Sequence, residues 1–415
     1  MSVTTFRLSA HDPIIARDGR PFGEGQGNRM RGLDWPLPSV VAGSFRSALV
    51  KANLELDFQN KPSLGPLRAE VAGALPLVDG ELHLPAPADC VWNGEKAKDK
   101  SKAYRIEPSP MNDGDGCDLP DGLRPVLLPD DAGMDNFKPK PAPAWWPMSQ
   151  GVEWLLGREV QFEEGGFLET PSREVRDHVR VDSKTGAAEE GLIFTTSGLN
   201  LSRLPRHGVD HENKRPLQER FAEIKLSIRV TIDEKSLGYA DNLNSWSPLG
   251  GERRLIHWGR DDDDLSEWKC PAKIKEALAK IGDGGRVRMV LASPAIFDHG
   301  WRPGWLDETT LEGKPFGDGP TLRLVGVCNG RWAAVSGWAL APHAREREDG
   351  RRRVVPHDRP GSKAIRRMVP AGGVYFFEKV EGDARVLADN GWLKSVSDAP
   401  HDKRDGFGLA VWGVW

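Results

Sequence analysis

Five residues near the start of the 415-residue chain are of types that hold an anion. Arg17 and Arg20 lie in Arg-Asp-Gly-Arg-Pro-Phe, and Ser39, Gly43 and Arg46 in Trp-Pro-Leu-Pro-Ser-Val-Val-Ala-Gly-Ser-Phe-Arg. A guanidinium gives phosphate paired, charge-assisted hydrogen bonds. A helix N-terminus adds unpaired N–H groups and a partial positive charge. Pro36 and Pro38 forbid helix upstream, so the pattern predicts a helix capped by Ser39 and free of proline until Pro62. Val40, Val41, Phe45, Ala48 and Leu49 share one face of that helix; Ser39, Gly43, Arg46 and Ser47 share the other. Gly43 admits a close approach, Arg46 faces the same way, and Arg17 and Arg20 lie in the preceding loop, so a phosphate chain would be held from two directions. The same residues also suit a packing glycine and a solvated arginine.

A second basic group lies in Arg-Glu-Val-Arg-Asp-His-Val-Arg-Val-Asp-Ser-Lys-Thr-Gly, from Arg173 to Gly186. Side chains alternate across a strand, so Arg176, His178, Arg180 and Asp182 leave one face and Val175, Val179 and Val181 the other. Gly186 supplies the turn of a long hairpin reaching Thr196. Same-face neighbours on a strand stand about 6.6 Å apart, comparable to successive phosphates of an extended single strand. A charge-protected edge strand has the same pattern.

Other groupings are weaker. His207 and His211 lack the His-Glu-x-x-His order of a zinc helix, and Gly208 argues for a loop. Asp261 to Asp264 read as a solvated helix start rather than a hard-cation site. Nucleotide-binding glycine fingerprints, a nucleophile elbow and a catalytic triad are all missing, so neither a metal nor another cofactor is expected. Arg345 to Arg353 is a charged loop by composition. Arg366 and Arg367 precede Val-Pro-Ala-Gly-Gly at a strand entrance. Gly406-Phe407-Gly408, before the last strand, is a place for an amide to meet an anion while the ring packs or stacks.

The elements that must position these groups follow from periodicity. Thr5 to Ala10 alternates as a half-buried strand, and Leu75 to Asp89 reads as a hairpin turning at Asp79-Gly80. Lys96 to Lys102 and Met111 to Pro143 carry little apolar material and read as insertions, before a short helix capped by Ser149 and ended by Gly157. Ile224 to Ile232 is the cleanest alternation and is expected to open a second unit. Pro271 starts a helix containing Ile274, Leu278 and Ile281, and strands follow at Val287 to Ala292, Leu322 to Cys328, Trp332 to Trp338, Val374 to Lys379 and Leu409 to Trp415. With a short helix near Ser362 to Val369, the order β, α, β, β, α, β fits a ferredoxin-like unit, and the first half can be drawn the same way. The expected class is α+β, with two ferredoxin-like (RRM-like) domains at 1–222 and 223–415, irregular insertions and a hairpin thumb.

Length allows two cores. A net charge of −4 confines nucleic-acid binding to local patches. Four widely spaced cysteines predict neither a disulfide framework nor a zinc knuckle. The N-terminus shows no apolar leader and the chain no run of about eighteen apolar residues, so a cytoplasmic protein without a membrane partner is expected. Fifteen tryptophans against three tyrosines have no evident cause.

Taken in order, several motifs resemble one family. They are Arg-Asp-Gly-Arg-Pro-Phe, Pro-Leu-Pro-Ser-x-x-Ala-Gly-x-x-Arg, Leu249-Gly-Gly-Glu-Arg253, Ala292-Ser-Pro-Ala-Ile-Phe with Gly300-Trp301, Arg367-x-x-Pro-Ala-Gly-x-Val-Tyr-Phe and the terminal Gly-Phe-Gly. Together they span nearly the whole chain and resemble the third-subunit family of type III-B CRISPR Cmr complexes, in the Cas5-like group of the RAMP superfamily. That resemblance implies a non-catalytic RNA-binding subunit in antiviral defence. It would hold the 5′ tag of the crRNA and sit between a Cas10-type large subunit and a Cas7-like backbone subunit, meeting target RNA only indirectly. The residues it implicates are Arg17, Arg20, Ser39, Gly43 and Arg46, with Arg176, His178 and Arg180 on the thumb, Arg253, Arg366 and Arg367, and Gly406, Phe407 and Gly408 as the glycine-rich loop. The insertion at Met111 to Pro143 and the loop at Arg345 are not family signatures, and an RRM-type aromatic consensus is missing. The competing class is a metal-independent RAMP endoribonuclease with His178 as general base.

Overall fold

The computed structural model describes residues 2–18, 30–52, 68–93, 103–111, 114, 116–128, 139–160, 162, 166–208, 216–233, 238, 240, 243–260, 265–339, 344–346, 352–354, 361–362 and 364–415. Strands dominate, with few and short helices, so the chain is mixed α and β.

Strand β1 (Ser2–Ala10) leads to helix α1 (Pro38–Lys51) and then to β2 (Glu70–Val78) and β3 (Glu81–Pro85). Asp79 and Gly80 turn that hairpin with φ of 49° and 82°, the left-handed pair that a two-residue loop needs. Strand β4 (Trp145–Pro147) runs straight into helix α2 (Met148–Leu155), which begins after Pro147 rather than at a Ser149 cap. Strands β5 (Arg173–Val181) and β6 (Ala188–Leu199) form a separate two-stranded hairpin. Then come β7 (Lys225–Ile232), β8 (Ser245–Pro248) and β9 (Leu255–Arg260). The first sheet has the order β8-β9-β1-β7-β2-β3-β4.

Lys225–Ile232 therefore does not open a second unit. It lies in the middle of the first sheet, pairing with β1 from Ser2↔Ile232 to Leu8↔Leu226 and on its other edge with β2. Alternation identifies a strand but carries no information about which neighbours it takes. Leu226, Ile228, Val230 and Ile232 are buried toward one side. On the other, Ser227 is also buried: it accepts from Trp268 Nε1 at 3.0 Å, and Arg7 reaches Glu267 at 2.5 Å. The first sheet thus draws strands from both sides of residue 222.

Helix α1 covers the first sheet with Val41, Ala42, Phe45, Ala48 and Leu49, all buried. The Phe45 ring lies 5.0 Å from Phe6 and 5.4 Å from Trp258. Its start differs from expectation. Leu37 is the N-cap, Pro38 occupies the first turn, and no side chain caps the end, so Ser39 stands inside the helix. Proline needs no N–H in that turn, which lets it displace the serine from the cap.

The second sheet follows α3 (Ala272–Ala279). Its strands are β10 (Arg286–Leu291), β11 (Glu312–Gly313), β12 (Thr321–Cys328), β15 (Val374–Glu381), β16 (Lys394–Ser395) and β17 (Leu409–Val414), in the order β11-β12-β15-β10-β17-β16. Between β12 and β15 lie β13 (Ala333–Val335) and β14 (Arg366–Met368), which pair only with each other. The helix expected near Ser362 to Val369 is therefore strand at Arg366–Met368, because the 333–335 segment offers it a ladder. Short helices α4 (Arg385–Asp389) and α5 (Pro400–Asp405) precede β16 and β17 respectively.

One continuous apolar core joins the sheets. At their junction Arg288 and Asp89, both fully buried, pair at 2.6 Å, and Trp154 Nε1 donates to the same carboxylate at 2.8 Å. Arg105 stacks over Trp154 at 4.0 Å, and burial, with the Arg288 charge next, holds its guanidinium down to about 10. All four cysteines are free.

Candidate nucleic-acid interface

The segment 14–18 is stitched to three neighbours. Ile14 and Leu199 exchange two backbone hydrogen bonds of 2.8 Å, Gly251 N donates to Ile15 O at 2.9 Å, and Leu33 N donates to Ala16 O at 2.9 Å. The root of the β5–β6 hairpin, the β8–β9 turn and residues 30–33 thus converge on one strip of backbone. The Leu249-Gly-Gly-Glu-Arg motif has a steric basis here: Gly250 has φ of 74°, and a Cβ on it would stand 2.4 Å from Ile15 O. Glu252 and Arg253 continue that turn with positive φ, leaving Arg253 exposed at its tip. Arg17 is exposed and bridges Gly32 through the backbone, while Arg20 lies outside the described residues.

Across the strip, Arg173 opens β5. Its guanidinium donates to Leu33 O at 2.8 Å and to Asp34 Oδ1 at 2.6 Å, which ties the hairpin root to the chain that follows Met30. A cleft of about 350 Å³ lies between them, lined by Met30, Gly32, Arg173, Val175 and the Thr195–Ser197 edge. Nothing in the sequence singled out Arg173 except its place at the head of the basic run.

The hairpin itself stands away from both sheets, and nearly all of β5 is exposed. Its turn forms as expected, with Gly186 at φ of 67° donating to Asp182 O and Lys184 N donating to Asp182 Oδ1. On one face Arg176 pairs with Glu174, and Arg180 with Glu189 at 3.0 Å. Between them the His178 ring is stacked on Phe194, centroids 4.7 Å apart and planes 9° from parallel, and its Nε2 lies 2.8 Å from Thr196 Oγ1. Phe194 stands directly opposite His178 in register, so the stack was findable only once the pairing was known. The opposite face carries Val175, Val179, Val181 and Ile193, each at least half exposed.

The remaining predicted residues are not gathered into this region. Arg46 is spent inside the chain: it donates twice to Ala69 O, once to Arg404 O at 3.1 Å, and pairs with Asp405 at 2.6 Å, tying α1 to α5. Ser39 bonds no neighbour as a cap. Gly43 is exposed with no atom within 4 Å of where a Cβ would stand, so packing does not require it. Arg366 makes a two-pronged pair with buried Asp402 at 2.6 and 2.9 Å. Arg367 lies 5.0 Å over the Trp332 ring.

Gly406-Phe407-Gly408 is a packing device rather than an open loop. Phe407 is 1% exposed, against Leu37, Ile296, Val335 and Met368. Its amide and those of both glycines donate to Asp402, Lys403 and Pro294 carbonyls. The glycines are needed because a Cβ at Gly406 would meet Val71 O at 2.4 Å and one at Gly408 would meet Ser397 Oγ at 2.5 Å. The ring cannot stack on a base from there. His207 pairs with Glu169 at 2.5 Å among aromatic rings, and His211 and Asp261 to Asp264 lie outside the described residues. Among the described residues no group of three or more His, Cys, Asp or Glu is placed to hold a metal.

A family model described as CRISPR-associated protein (Cas_Cmr3) matches residues 6–415. No curated protein matches the chain. Among solved structures, the chain matches one in the cryo-EM structure of the Type III-B Cmr-beta bound to cognate target RNA and AMPPnP, state 1. The match has 12% identity, covers 90% of this chain and 86% of that one, and has a TM-score of 0.41. The same figures hold for the Cmr-beta structure bound to cognate target RNA. A chain in the crystal structure of the Csm3-Csm4 subcomplex of the type III-A CRISPR-Cas interference complex matches at 7% identity, over 92% of this chain and 94% of that one, with a TM-score of 0.29.

Proposed function

The chain belongs to the Cas_Cmr3 family of CRISPR-associated proteins, and on that premise we propose that it is a non-catalytic RNA-holding subunit of a type III-B CRISPR (Cmr) effector complex. The observation that carries the reading is the β5–β6 hairpin, a thumb that presents Arg176, His178 and Arg180 on one face and is rooted through Arg173 beside a cleft of about 350 Å³. Arg176 and Arg180 flank the His178–Phe194 stack on that face, so guanidinium groups meet phosphates while the aromatic pair offers a surface to a base or sugar. The strand held there is the 5′ tag of the crRNA.

Sheet order supports the RAMP-type architecture. In the first sheet the strands β1, β2, β7 and β9, numbered by chain order, lie 4-1-3-2; in the second, β10, β12, β15 and β17 lie in the same order. A ferredoxin-like unit has this strand order, which supports a reading of two such units with the boundary between β9 and α3. The exposed valine face of the thumb suits a protein neighbour, for which we assign the Cas7-like backbone subunit, with the Cas10-type subunit on the other side. Among the described residues no helix is long and apolar enough to cross a membrane.

The surroundings of His178 support the non-catalytic reading. Its Nε2 is occupied by Thr196 Oγ1 and its ring by Phe194, and the residues flanking it are guanidinium groups that cannot act as a second general acid at neutral pH. Incubating the full chain with 5′-tagged guide RNA tests this. Retention without shortening of the RNA is expected, unchanged in length by His178→Ala. A cut that His178→Ala abolishes would instead make the protein an endoribonuclease, and neither retention nor cutting would leave it a protein-only adaptor.

A further inference from the structure

The face of the first sheet that α1 covers carries buried Phe6, Leu8, Ile256 and Trp258. Successive side chains of a strand leave opposite faces, and residues directly opposite across a ladder share one. Arg7 and Ser9 of β1, His257 and Gly259 of β9, and Trp246 of β8 therefore lie on the far face. Trp246 stands opposite His257, His257 opposite Ser9, and Gly259 opposite Arg7. The turn at Ser266–Trp268 bonds to Ser227 and Arg7 and closes the middle of that face. From Ser9 outward to the edge strand β8 the face is open. Trp246 is 55% exposed, and a Cβ on Gly259 would have no atom within 4 Å.

Three rings meet on the open part. The Trp246 centroid lies 5.0 Å from His257 and 5.3 Å from His11, which extends the β1 ladder by donating its N–H to Leu255 O at 3.2 Å. RRM proteins stack bases on aromatic side chains of a sheet face. Here the consensus is missing from the sequence, yet strand pairing assembles an aromatic group on such a face from three distant positions.

Charge and position suit a polyanion. Among the face positions of β1, β8 and β9 there is no carboxylate, and the acids at the margin are engaged, Asp12 by Leu255 N at 2.9 Å and Glu267 by Arg7 at 2.5 Å. Arg253, exposed in the β8–β9 turn, makes no ion pair among the described residues. That turn bonds to the 14–18 strip through Gly251 N and Ile15 O. His11 stands three residues before Ile14, which is hydrogen-bonded to Leu199 at the thumb root. Three residues span at most about 11 Å, so the rings lie close to the proposed strand path.

We infer that Trp246, with His11 and His257, is a stacking platform for a base of single-stranded RNA, and that Arg253 meets an adjoining phosphate. The inference rests on the RNA-holding reading and carries the strand past the thumb root onto the open sheet face. Every base has a π-face, so the platform accepts any base and does not need the tag.

The test uses the full chain and two labelled RNAs, a 5′-tagged guide and a short untagged oligouridylate, read by fluorescence anisotropy over a salt series. Trp246→Ala should weaken binding of both about tenfold with an unchanged salt slope, since a ring is lost without a charge. Trp246→Phe, which keeps an aromatic face, should bind within about twofold of the unsubstituted chain. Arg253→Gln should lower the log–log slope by about 0.7, one single-strand phosphate contact. Cross-links from 4-thiouridine RNA should fall on peptides containing His11, Trp246 or His257.

Full affinity in Trp246→Ala, with binding lost from Arg176→Gln combined with Arg180→Gln, would overturn the inference and leave the thumb reading standing. The reverse pattern would overturn the thumb and keep the platform. Full RNA affinity in Trp246→Ala together with loss of a fellow Cmr subunit from the assembly would make the cluster a protein-docking surface and overturn the inference. Failure of the unsubstituted chain to bind either RNA would overturn both readings.

Discussion

Removing the two thumb guanidiniums tests the proposed strand path most directly. Arg176 and Arg180 lie four residues apart on one strand face, about 13 Å, room for alternate phosphates of an extended strand with His178 between them. Both are accessible, with side chains 46% and 68% exposed, and each now pairs with a carboxylate that an RNA strand must displace. Exposed pairs of this kind hold about 0–1 kcal/mol each, so displacement is cheap. Each phosphate contact on a single strand contributes about 0.7 to the salt slope. Arg176→Gln with Arg180→Gln should therefore lower the slope of log K against log salt by about 1.4. At about 0.1 M salt that corresponds to roughly 25-fold weaker binding, shrinking toward equality near about 1 M. The converse pair, Glu174→Gln with Glu189→Gln, should tighten binding by up to a few fold. Anisotropy titration of tagged guide RNA across a salt series reads both. An unchanged slope, or a loss equal at every salt concentration, would show that these residues do not meet phosphate and would refute the proposed path.

Three further outcomes follow from the packing. Asp89→Ala strands buried Arg288 beside Arg105 without a counter-charge and should cost about 3–5 kcal/mol in urea unfolding, while Asp89→Leu combined with Arg288→Met should recover most of it; equal losses in both variants would contradict the account. Gly43→Ala should stabilise α1 by up to about 1 kcal/mol, because the site is open and mid-helix; weaker tag binding despite that gain would show RNA lying against this face. Burial lowers the His83 pKa below its usual 6.5, so the unfolded chain takes up a proton first as pH falls. Stability should then drop below about pH 6.5 by at most about 1.4 kcal/mol per unit from this group, and His83→Gln should remove that share of the slope in pH-dependent melts.

Much of the local structure was legible before the fold. Alternation over Thr5 to Ala10 and Arg173 to Val181, the Asp79-Gly80 and Gly186 turns and the apolar face of α1 each depend on residues a few positions apart, and each appears in the structure. Placement of the strands was not legible. Lys225–Ile232 has the same period whether it begins a sheet or fills the middle of one, and Arg366–Met368, expected within a short helix, is strand because Ala333–Val335, more than thirty residues earlier, offers it a ladder.

The sequence alone determined where cations and turn residues sit, the family, and the thumb as an exposed hairpin with one basic face. Only the tertiary structure decided which of those cations are free to meet a ligand. Arg46 looked available until folding brought Asp405, 359 residues away, against it; Arg366 is likewise consumed by Asp402, and Phe407 by the core. A guanidinium's function depends on which carboxylate or carbonyl reaches it first, and over such separations in sequence that is settled by packing, to which local residue patterns are blind.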